Sequence, residues 1–178
     1  MSTETVAIRM GFRPDQALAL ERACIEFGID TVLRKAHFLG QTAHESGTGR
    51  WMNEIWGPTP AQRRYEGRKD LGNVEPGDGY RFRGRGLIQL TGRENYTNYS
   101  RDMYGDLRAV LNPDMLAQLP DAGLAAGWFW GPYKRLNKIA DTGSVEAVTK
   151  RVNGGQNGLE DRRKKTQLAL DLFAALTK

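Results

Sequence analysis

Residues 31–49 read TVLRKAHFLGQTAHESGTG, and this stretch combines the apolar spacing of a helix with an abrupt end. Ala36, Leu39 and Ala43 recur at intervals of three or four, which places them on one face of a helix over residues 31–46. The glycines at positions 47 and 49 then break the pattern. We therefore expect a helix whose last turn lies at the rim of an irregular region.

Helical patterns also occupy much of the chain on either side of this stretch. Pro14 opens a helix that Gly28 closes, and Ser144 is placed to cap the start of another. Similar patterns recur over residues 121–130 and 159–176. The sequence therefore predicts a mainly α fold.

The segment between residues 51 and 93 is different, because prolines and glycines are too frequent there for a long helix. It contains three prolines, and seven glycines lie between residues 57 and 86. Short strands are expected only at Tyr80–Arg83 and Leu87–Leu90. A structured loop of this length usually carries function, so we expect it to border a catalytic cleft.

Length and composition are those of one globular domain spanning residues 1–178, with 39% hydrophobic and 26% charged residues. Cys24 is the only cysteine, so no intrachain disulfide can form. The N-terminus lacks the apolar segment of a signal peptide, and no run approaches the ~20 apolar residues that span a bilayer. We therefore expect the protein to stay in the cytoplasm until something else releases it.

The chain is basic, with a net charge of +5 and a pI of about 9.5. A basic surface attracts polyanions such as nucleic acid, anionic lipid or the bacterial envelope. There is no zinc-finger spacing and no RNA-binding aromatic motif, so we expect no nucleic-acid partner. His37 and His44 with one cysteine make a poor set of metal ligands, so we expect no metal and no cofactor.

Glu45, near the end of the helix at 31–46, is the first candidate for chemistry. Phe38, Gln41, Thr42 and Glu45 share one helix face. A carboxyl group beside apolar surface loses hydration and can hold a proton at neutral pH, as a general acid must. A solvated surface glutamate is the alternative explanation.

Glu66 is the second candidate, and it lies in the irregular segment. Arg63, Arg64 and Arg68 surround it in the sequence, and cations keep a carboxylate ionised, as a general base requires. A surface ion pair is the alternative. Glycoside hydrolysis needs two carboxyl groups in different protonation states, and a helix and the loop after it can face each other across a cleft.

The sequence YRFRGRGLIQLTG at residues 80–92 supplies further polar candidates. It matches neither a phosphate-binding loop nor the G-x-G-x-x-G pattern. Gln89 and Thr91 alternate as polar residues, and amide and hydroxyl groups bind sugars or hold a water. A turn with a polar edge strand is the alternative. Trp51 and Trp56, in the irregular segment, are candidates for stacking on sugar rings.

Five segments in a fixed order resemble a known family. They are FLGQTAHES at 38–46, GRGLIQLT at 84–91, NPD at 112–114, WFW at 128–130 and NGG at 153–155. Together they resemble glycoside hydrolase family 19, which contains plant chitinases and phage or prophage endolysins. The resemblance extends from about residue 36 to residue 165. It implies a lysozyme-like, mainly helical fold and an inverting mechanism.

The resemblance also implies roles for individual residues. Glu45 corresponds to the general acid, Glu66 to the general base, and Thr91 to the residue that positions the attacking water. Three further positions correspond to substrate-binding residues: Gln89, Tyr96 and Asn153. Arg162 corresponds to an arginine that supports the site through ion pairs.

The resemblance narrows the substrate as well. YEGRKDLGN at residues 65–73, followed by PGDG at 76–79, resembles the endolysin branch of the family and favours bacterial peptidoglycan. Chitin is the alternative substrate, since both polymers present β-1,4-linked N-acetylated sugars. A wall-binding module without activity is a further alternative function. The prediction is a monomeric endolysin that acts on the wall after release from the host cytoplasm, with a weak attraction to the anionic envelope.

Overall fold

A computed structural model describes residues 2–176, and most of them lie in helices, which confirms the expected fold class. The α-helices are α1 (Thr3–Arg9), α2 (Pro14–Glu26), α3 (Val32–Glu45), α4 (Pro60–Arg63), α5 (Asp78–Arg81), α6 (Arg93–Tyr104), α7 (Arg108–Leu111), α8 (Asp121–Trp128), α9 (Asn137–Ala140), α10 (Val145–Asn153) and α11 (Leu159–Ala175). Short 3-10 helices cover Lys69–Leu71 and Pro113–Ala117, and a π-helical turn covers Phe129–Tyr133. None of the helices within residues 2–176 is long and apolar enough to cross a membrane.

The two short strands expected from the sequence are not formed. Tyr80 and Arg81 belong to α5, which begins with an acidic residue in its first turn. Residues 86–89 form turns, because positive φ angles at Gly86 (74°) and Gln89 (53°) take the backbone out of the extended conformation. Within the described chain, β-pairing is limited to isolated bridges that join Arg85 to residues 53 and 90.

Helix α3 lies at the centre of the molecule and packs along α11. Gly40 of α3 allows the close approach, because a methyl group there would stand 2.2 Å from Thr166 Oγ1 and 2.9 Å from its backbone nitrogen. Phe38 meets Trp130 edge-on, with ring centroids 5.4 Å apart. Both rings are fully buried, so α3 is fixed on two sides and its C-terminal end is held in place.

Residues 46–92 form one wall of the cleft and are held mainly by buried polar groups. Asn73 is fully buried; its amide donates to Tyr65 O (2.9 Å) and its oxygen accepts from Arg93 N (2.9 Å). Asp78 forms a 2.5 Å ion pair with Arg93. Burial by itself would raise the pKa of Asp78, but Arg93 and two backbone N–H groups lower it overall. These bonds give the wall a defined conformation without a long helix or strand.

Candidate active site

The C-terminal end of α3 opens onto a groove of about 590 Å³. One wall comes from the irregular segment and the start of α6, and the other from the residues after α8 and from the end of α10. The groove is lined by Glu45, Tyr65, Arg68, Leu71, Ile88, Gln89, Leu90, Thr91, Asn95, Phe129, Lys134, Lys150, Arg151, Val152, Asn153 and Gly154.

Glu45 is oriented by a buried arginine. Arg162 Nη2 donates to Glu45 Oε1 at 2.5 Å, and Arg162 also bonds to Gln41 and, at 3.1 Å, to the carbonyl of Asn157. The arginine side chain is only 3% exposed, whereas that of Glu45 is 20% exposed. Arg162 therefore fixes one carboxylate oxygen of Glu45, and no donor among residues 2–176 occupies the other. Arg162 acts behind the groove as a positioning residue and does not line it.

Gln89 and Thr91 lie on the loop wall of the groove, and their polar atoms are already oriented. The Gln89 amide nitrogen donates to Trp51 O (2.9 Å) and Gly86 O (3.0 Å), which leaves its oxygen as the free group. Thr91 Oγ1 donates to Gln89 O at 2.9 Å and so has lone pairs to accept from a water or a sugar hydroxyl.

The structure does not place Glu66, which the sequence predicts to be the general base, in the lining of the groove, and this corrects its expected position. Its two oxygens accept hydrogen bonds from the backbone N–H groups of Gly77 (2.6 Å) and Gly79 (2.9 Å). The side chain is exposed, and its neighbour Tyr65 lines the groove instead. Glu66 holds the start of α5, where a negative charge meets the first N–H groups of a helix.

Glu54, nine residues after Glu45, does not line the groove either, but unlike Glu66 it is bonded to a residue that does. Its Oε2 accepts from Gly84 N at 3.0 Å, and its Oε1 accepts from Gln62 (3.0 Å) and the Tyr65 hydroxyl (3.4 Å). Burial raises the pKa of Tyr65, and the charges of Glu54 and Glu45 raise it further, so both carboxylates act on one phenol of the groove wall.

Glu54 and Thr91 are both neighbours of Gly84. Gly84 donates its N–H to Glu54, and a methyl group on Gly84 would stand 3.3 Å from Thr91 Oγ1 and 2.8 Å from Gln89 Oε1. The sequence carried one signal for Glu54: it lies between Trp51 and Trp56, two residues already considered for sugar stacking.

Tyr96 is a second correction, because the structure buries it completely. Its hydroxyl donates to Arg83 O (2.7 Å) and accepts from Arg85 (3.0 Å), and its ring packs edge-on against Phe82. A side chain with no exposed surface cannot contact a polymer in the groove. The preceding residue, Asn95, lines the groove instead and donates to Thr91 O at 2.7 Å.

Asn153 lies on the opposite wall, at the last residue of α10. Its oxygen accepts from Gly155 N (2.8 Å), and its amide donates to Asn157 O (3.1 Å). The structure thus brings Glu45, Gln89, Thr91 and Asn153 to one groove. Within residues 2–176, no three His, Cys, Asp or Glu side chains are grouped closely enough to hold a metal ion.

The chain is similar to several curated proteins, although no family model matches it. A glycosyl hydrolase family 19 domain-containing protein of Haemophilus influenzae is 32% identical over 159 residues, which cover 74% of this chain and 76% of that protein. An endochitinase of Pisum sativum is 33% identical over 129 residues, or 65% of this chain and 39% of the pea protein. An acidic endochitinase Q of Nicotiana tabacum is 36% identical over 108 residues, or 58% and 37% of the two chains. This chain therefore spans well under half the length of either plant protein.

Solved structures share the fold. Chitinase C from Streptomyces griseus HUT6037 superposes with a TM-score of 0.70 at 21% identity, over 96% of this chain and 76% of that one. A bacterial family 19 chitinase superposes with a TM-score of 0.66 at 19% identity, over 94% of both chains. The mainly helical, lysozyme-like architecture expected from the motifs is therefore confirmed. Given this fold and the extent of the match to the Haemophilus protein, the chain belongs to glycosyl hydrolase family 19 and is a glycoside hydrolase.

Proposed function

We propose that this enzyme hydrolyses β-1,4 glycosidic bonds in the glycan strands of bacterial peptidoglycan, with inversion at the anomeric carbon. The observation that carries the proposal is the pair of carboxylates near one groove: Glu45 at the end of α3 and Glu54 on the loop wall. An inverting hydrolase needs two carboxyl groups roughly 6.5–9.5 Å apart, so that a water molecule fits between one of them and the sugar.

Glu45 is assigned as the general acid. Arg162 holds Oε1, so Oε2 is the oxygen that carries the proton to the leaving group. When the glycosidic C–O bond breaks, this proton moves to the departing sugar oxygen and Glu45 is left as a carboxylate beside Arg162. The adjacent guanidinium then stabilises the negative charge that forms on Glu45 during the step.

Glu54 is assigned as the general base, with Thr91 as the residue that orients the water. The Thr91 hydroxyl donates its hydrogen bond to Gln89 O, so its oxygen accepts one hydrogen bond from the water. Glu54 takes the other proton as the water oxygen bonds to the anomeric carbon. The three donors to Glu54 keep its oxygens oriented as acceptors throughout.

Two features support peptidoglycan as the substrate. Residues 65–73 and 76–79 resemble the endolysin branch of the family, and this segment supplies Tyr65 and Arg68 to the groove wall. The groove is also rich in cations, whereas its lining contains a single carboxylate, that of Glu45. Peptidoglycan carries carboxylates and chitin carries none, so the charge of the groove favours peptidoglycan.

Chitin is the second candidate substrate. The plant relatives are named as endochitinases, and the matching solved structures are chitinases. The same two carboxylates would cut a polymer of N-acetylglucosamine, because the bond broken has the same chemistry.

The test is to assay both polymers with one enzyme preparation and with Glu45→Gln as its inactive control. We expect a suspension of permeabilised bacteria to clear with the wild type, and at least ~10²-fold more slowly with the variant, whose amide is not acidic enough to protonate the leaving oxygen. Mass spectrometry of the soluble products identifies the sugar at the new reducing end, and NMR identifies its initial anomer. Cleavage of chitin oligosaccharides without release of peptidoglycan fragments would establish the chitinase instead, and a retained anomer would refute the inverting assignment.

A further inference from the structure

Three basic side chains form a cluster on the wall of the groove opposite the loop: Lys134, Lys150 and Arg151. Lys134 follows the π-helical turn after α8, and the other two are consecutive residues in the last turns of α10. Arg151 Nε donates to the backbone oxygen of Lys134 at 3.1 Å, which joins the two elements at this point. We call these three residues the cationic wall.

The cationic wall has no acidic partner. Among residues 2–176, no carboxylate lies within 4.0 Å of any of its three charged groups. Other arginines of the chain do have partners; Arg162 pairs with Glu45, for example. Repulsion between the charges of Lys134 and Arg151 is unfavourable, and a bound anion would offset it.

Lys134 is held firmly within the cationic wall. Its ammonium lies 4.7 Å from the ring centroid of Tyr133 and 5.4 Å from that of Phe129, a cation–π arrangement. Burial lowers the pKa of Lys134, and the charge of Arg151 lowers it further. An anion placed beside Lys134 would oppose both effects, so this position favours a negatively charged ligand.

We propose that the cationic wall is a specificity subsite that binds a carboxylate carried by the glycan strand while the strand lies across Glu45. This inference rests on the proposed function, because it names the chemical group by which the groove would distinguish peptidoglycan from chitin. Arginine binds a carboxylate through two parallel hydrogen bonds, and the lysines add point charges.

Peptidoglycan offers two sources of such a carboxylate. One is the lactyl group of muramic acid, which is free only where the stem peptide has been removed. The other is the stem peptide itself, whose side chains and C-terminus are acidic. Both present the same chemistry to the cationic wall, and fragments with and without peptide separate them.

The experiment measures binding by calorimetry in an inactive Glu45→Gln background, so that no fragment is consumed. The test variant adds Lys150→Gln and Arg151→Gln, and the matched control adds Lys138→Gln, an exposed lysine of α9 that does not line the groove. The probes are three glycan fragments of equal sugar length: one with stem peptides, one stripped by an amidase to expose the lactyl carboxylate, and a chitin oligosaccharide.

We expect the test variant to bind at least one carboxylated fragment roughly tenfold or more weakly, because charge-assisted hydrogen bonds are lost, and the chitin oligosaccharide within about twofold of the parent. The carboxylated fragment with the larger loss identifies the source. An equal loss for all three fragments, or no loss for either carboxylated one, would overturn the subsite. A failure of the proposed function would be recognised by a different measurement. In that case the wild-type enzyme would cut the chitin oligosaccharide and neither carboxylated fragment.

Discussion

Two loop glutamates, Glu54 and Glu66, differ in the groups that donate hydrogen bonds to their carboxylates. Glu66 accepts from two backbone N–H groups and is exposed, away from the groove. Glu54 accepts from Gly84, Gln62 and Tyr65, and Tyr65 lines the groove. A base must reach the water that attacks the sugar, so these contacts favour Glu54 over Glu66 as the proposed base.

We expect Glu54→Gln to lower kcat by ~10²-fold or more, because an amide cannot take the proton of the water. Glu66→Gln is the matched control. Its amide still accepts from one N–H group, so it should cost ~1 kcal/mol of stability and leave kcat within about threefold. The two variants are compared on one soluble glycan, with folding checked by circular dichroism. A larger fall in kcat for Glu66→Gln than for Glu54→Gln would identify Glu66 as the base.

Thr91→Ala should lower turnover more than binding, since its hydroxyl orients a water rather than the polymer. We expect kcat to fall by ~10-fold while KM stays within about twofold. Thr91→Ser keeps the hydroxyl and should restore most of the loss. A variant in which only KM changes would make Thr91 a substrate-binding residue.

His37 makes stability depend on pH. It is 1% exposed, and burial lowers its pKa to about 4, while the unfolded chain has the ordinary value near 6.5. Below pH ~6.5 the unfolded state takes up a proton that the folded state refuses, so stability is lost as the pH falls toward 4. The loss due to this residue is about 2–3 kcal/mol at pH ~4.5.

The measurement is urea unfolding at pH ~7.5 and ~4.5 for the wild type and for His37→Gln, which cannot titrate. Carboxylates in ion pairs contribute equally to both proteins, so the difference in pH dependence isolates His37. The same acid sensitivity in both proteins would contradict the assignment.

At the scale of elements, the contact between α3 and α11 positions Glu45, because it brings Arg162 of α11 to Glu45 of α3. The contact depends on Gly40, where a methyl group would meet the backbone of Thr166 as well as its side chain. Backbone atoms cannot rotate away, so the two helices would have to separate.

We expect Gly40→Ala to lower the free energy of unfolding by ~1–3 kcal/mol, the usual cost of overpacking a core. Activity should fall with it at temperatures where the variant remains folded, since Arg162 moves relative to Glu45. Gly57→Ala is the control, because its methyl group would have no neighbour nearer than 3.5 Å. Thermal unfolding measures both, and equal melting temperatures would show that the helices adapt without cost.

Most basic residues at the start of the last helix, α11, form ion pairs within the protein. Of the run Arg162–Lys165 at its start, Arg162 is buried against Glu45, Arg163 pairs with Glu146 and Glu160, and Lys165 pairs with Asp161. The apolar residues Ala169 and Phe173 are buried in the core. These charges and apolar groups are therefore engaged within the protein, which argues against a membrane-binding role for the helix.

At the scale of the whole molecule, 26 basic residues exceed 21 acidic ones, and the groove carries part of the excess. Exposed charges of this kind attract the anionic bacterial envelope, and salt screens them beyond ~8 Å at physiological ionic strength. With peptidoglycan as the proposed substrate, the net charge should therefore affect how the enzyme reaches the wall more than the chemical step itself.

We expect lysis of whole walls to slow several-fold between ~0.05 and ~0.5 M salt. Hydrolysis of a short neutral oligosaccharide should change less than about twofold, because it has no charge to screen. Both rates are measured with one enzyme preparation. Equal salt sensitivity on the two substrates would contradict electrostatic attraction to the wall and indicate a salt effect within the active site.

The sequence by itself determined the helical part of the fold and the residues fixed to it. Helices predicted over 31–46, 121–130 and 159–176 match α3, α8 and α11 within about two residues, because apolar periodicity and glycine or proline breaks are local signals. Glu45 could be found for the same reason, since its position at the end of α3 follows from helix geometry. The polar helix α6 lacked such a clear apolar stripe and was not predicted.

Tertiary structure alone decided which loop residues face the groove. Asn95 lines the groove beside Thr91 where Tyr96 does not, and Glu54 is bonded to the groove residue Tyr65 where Glu66 is not. A loop has no repeating geometry, so the direction of each side chain is set by bonds to distant backbone groups, such as those from Gly84 to Glu54 and from Gly77 to Glu66. Those partners lie 30 and 11 residues away in sequence, and their proximity exists only once the chain has folded.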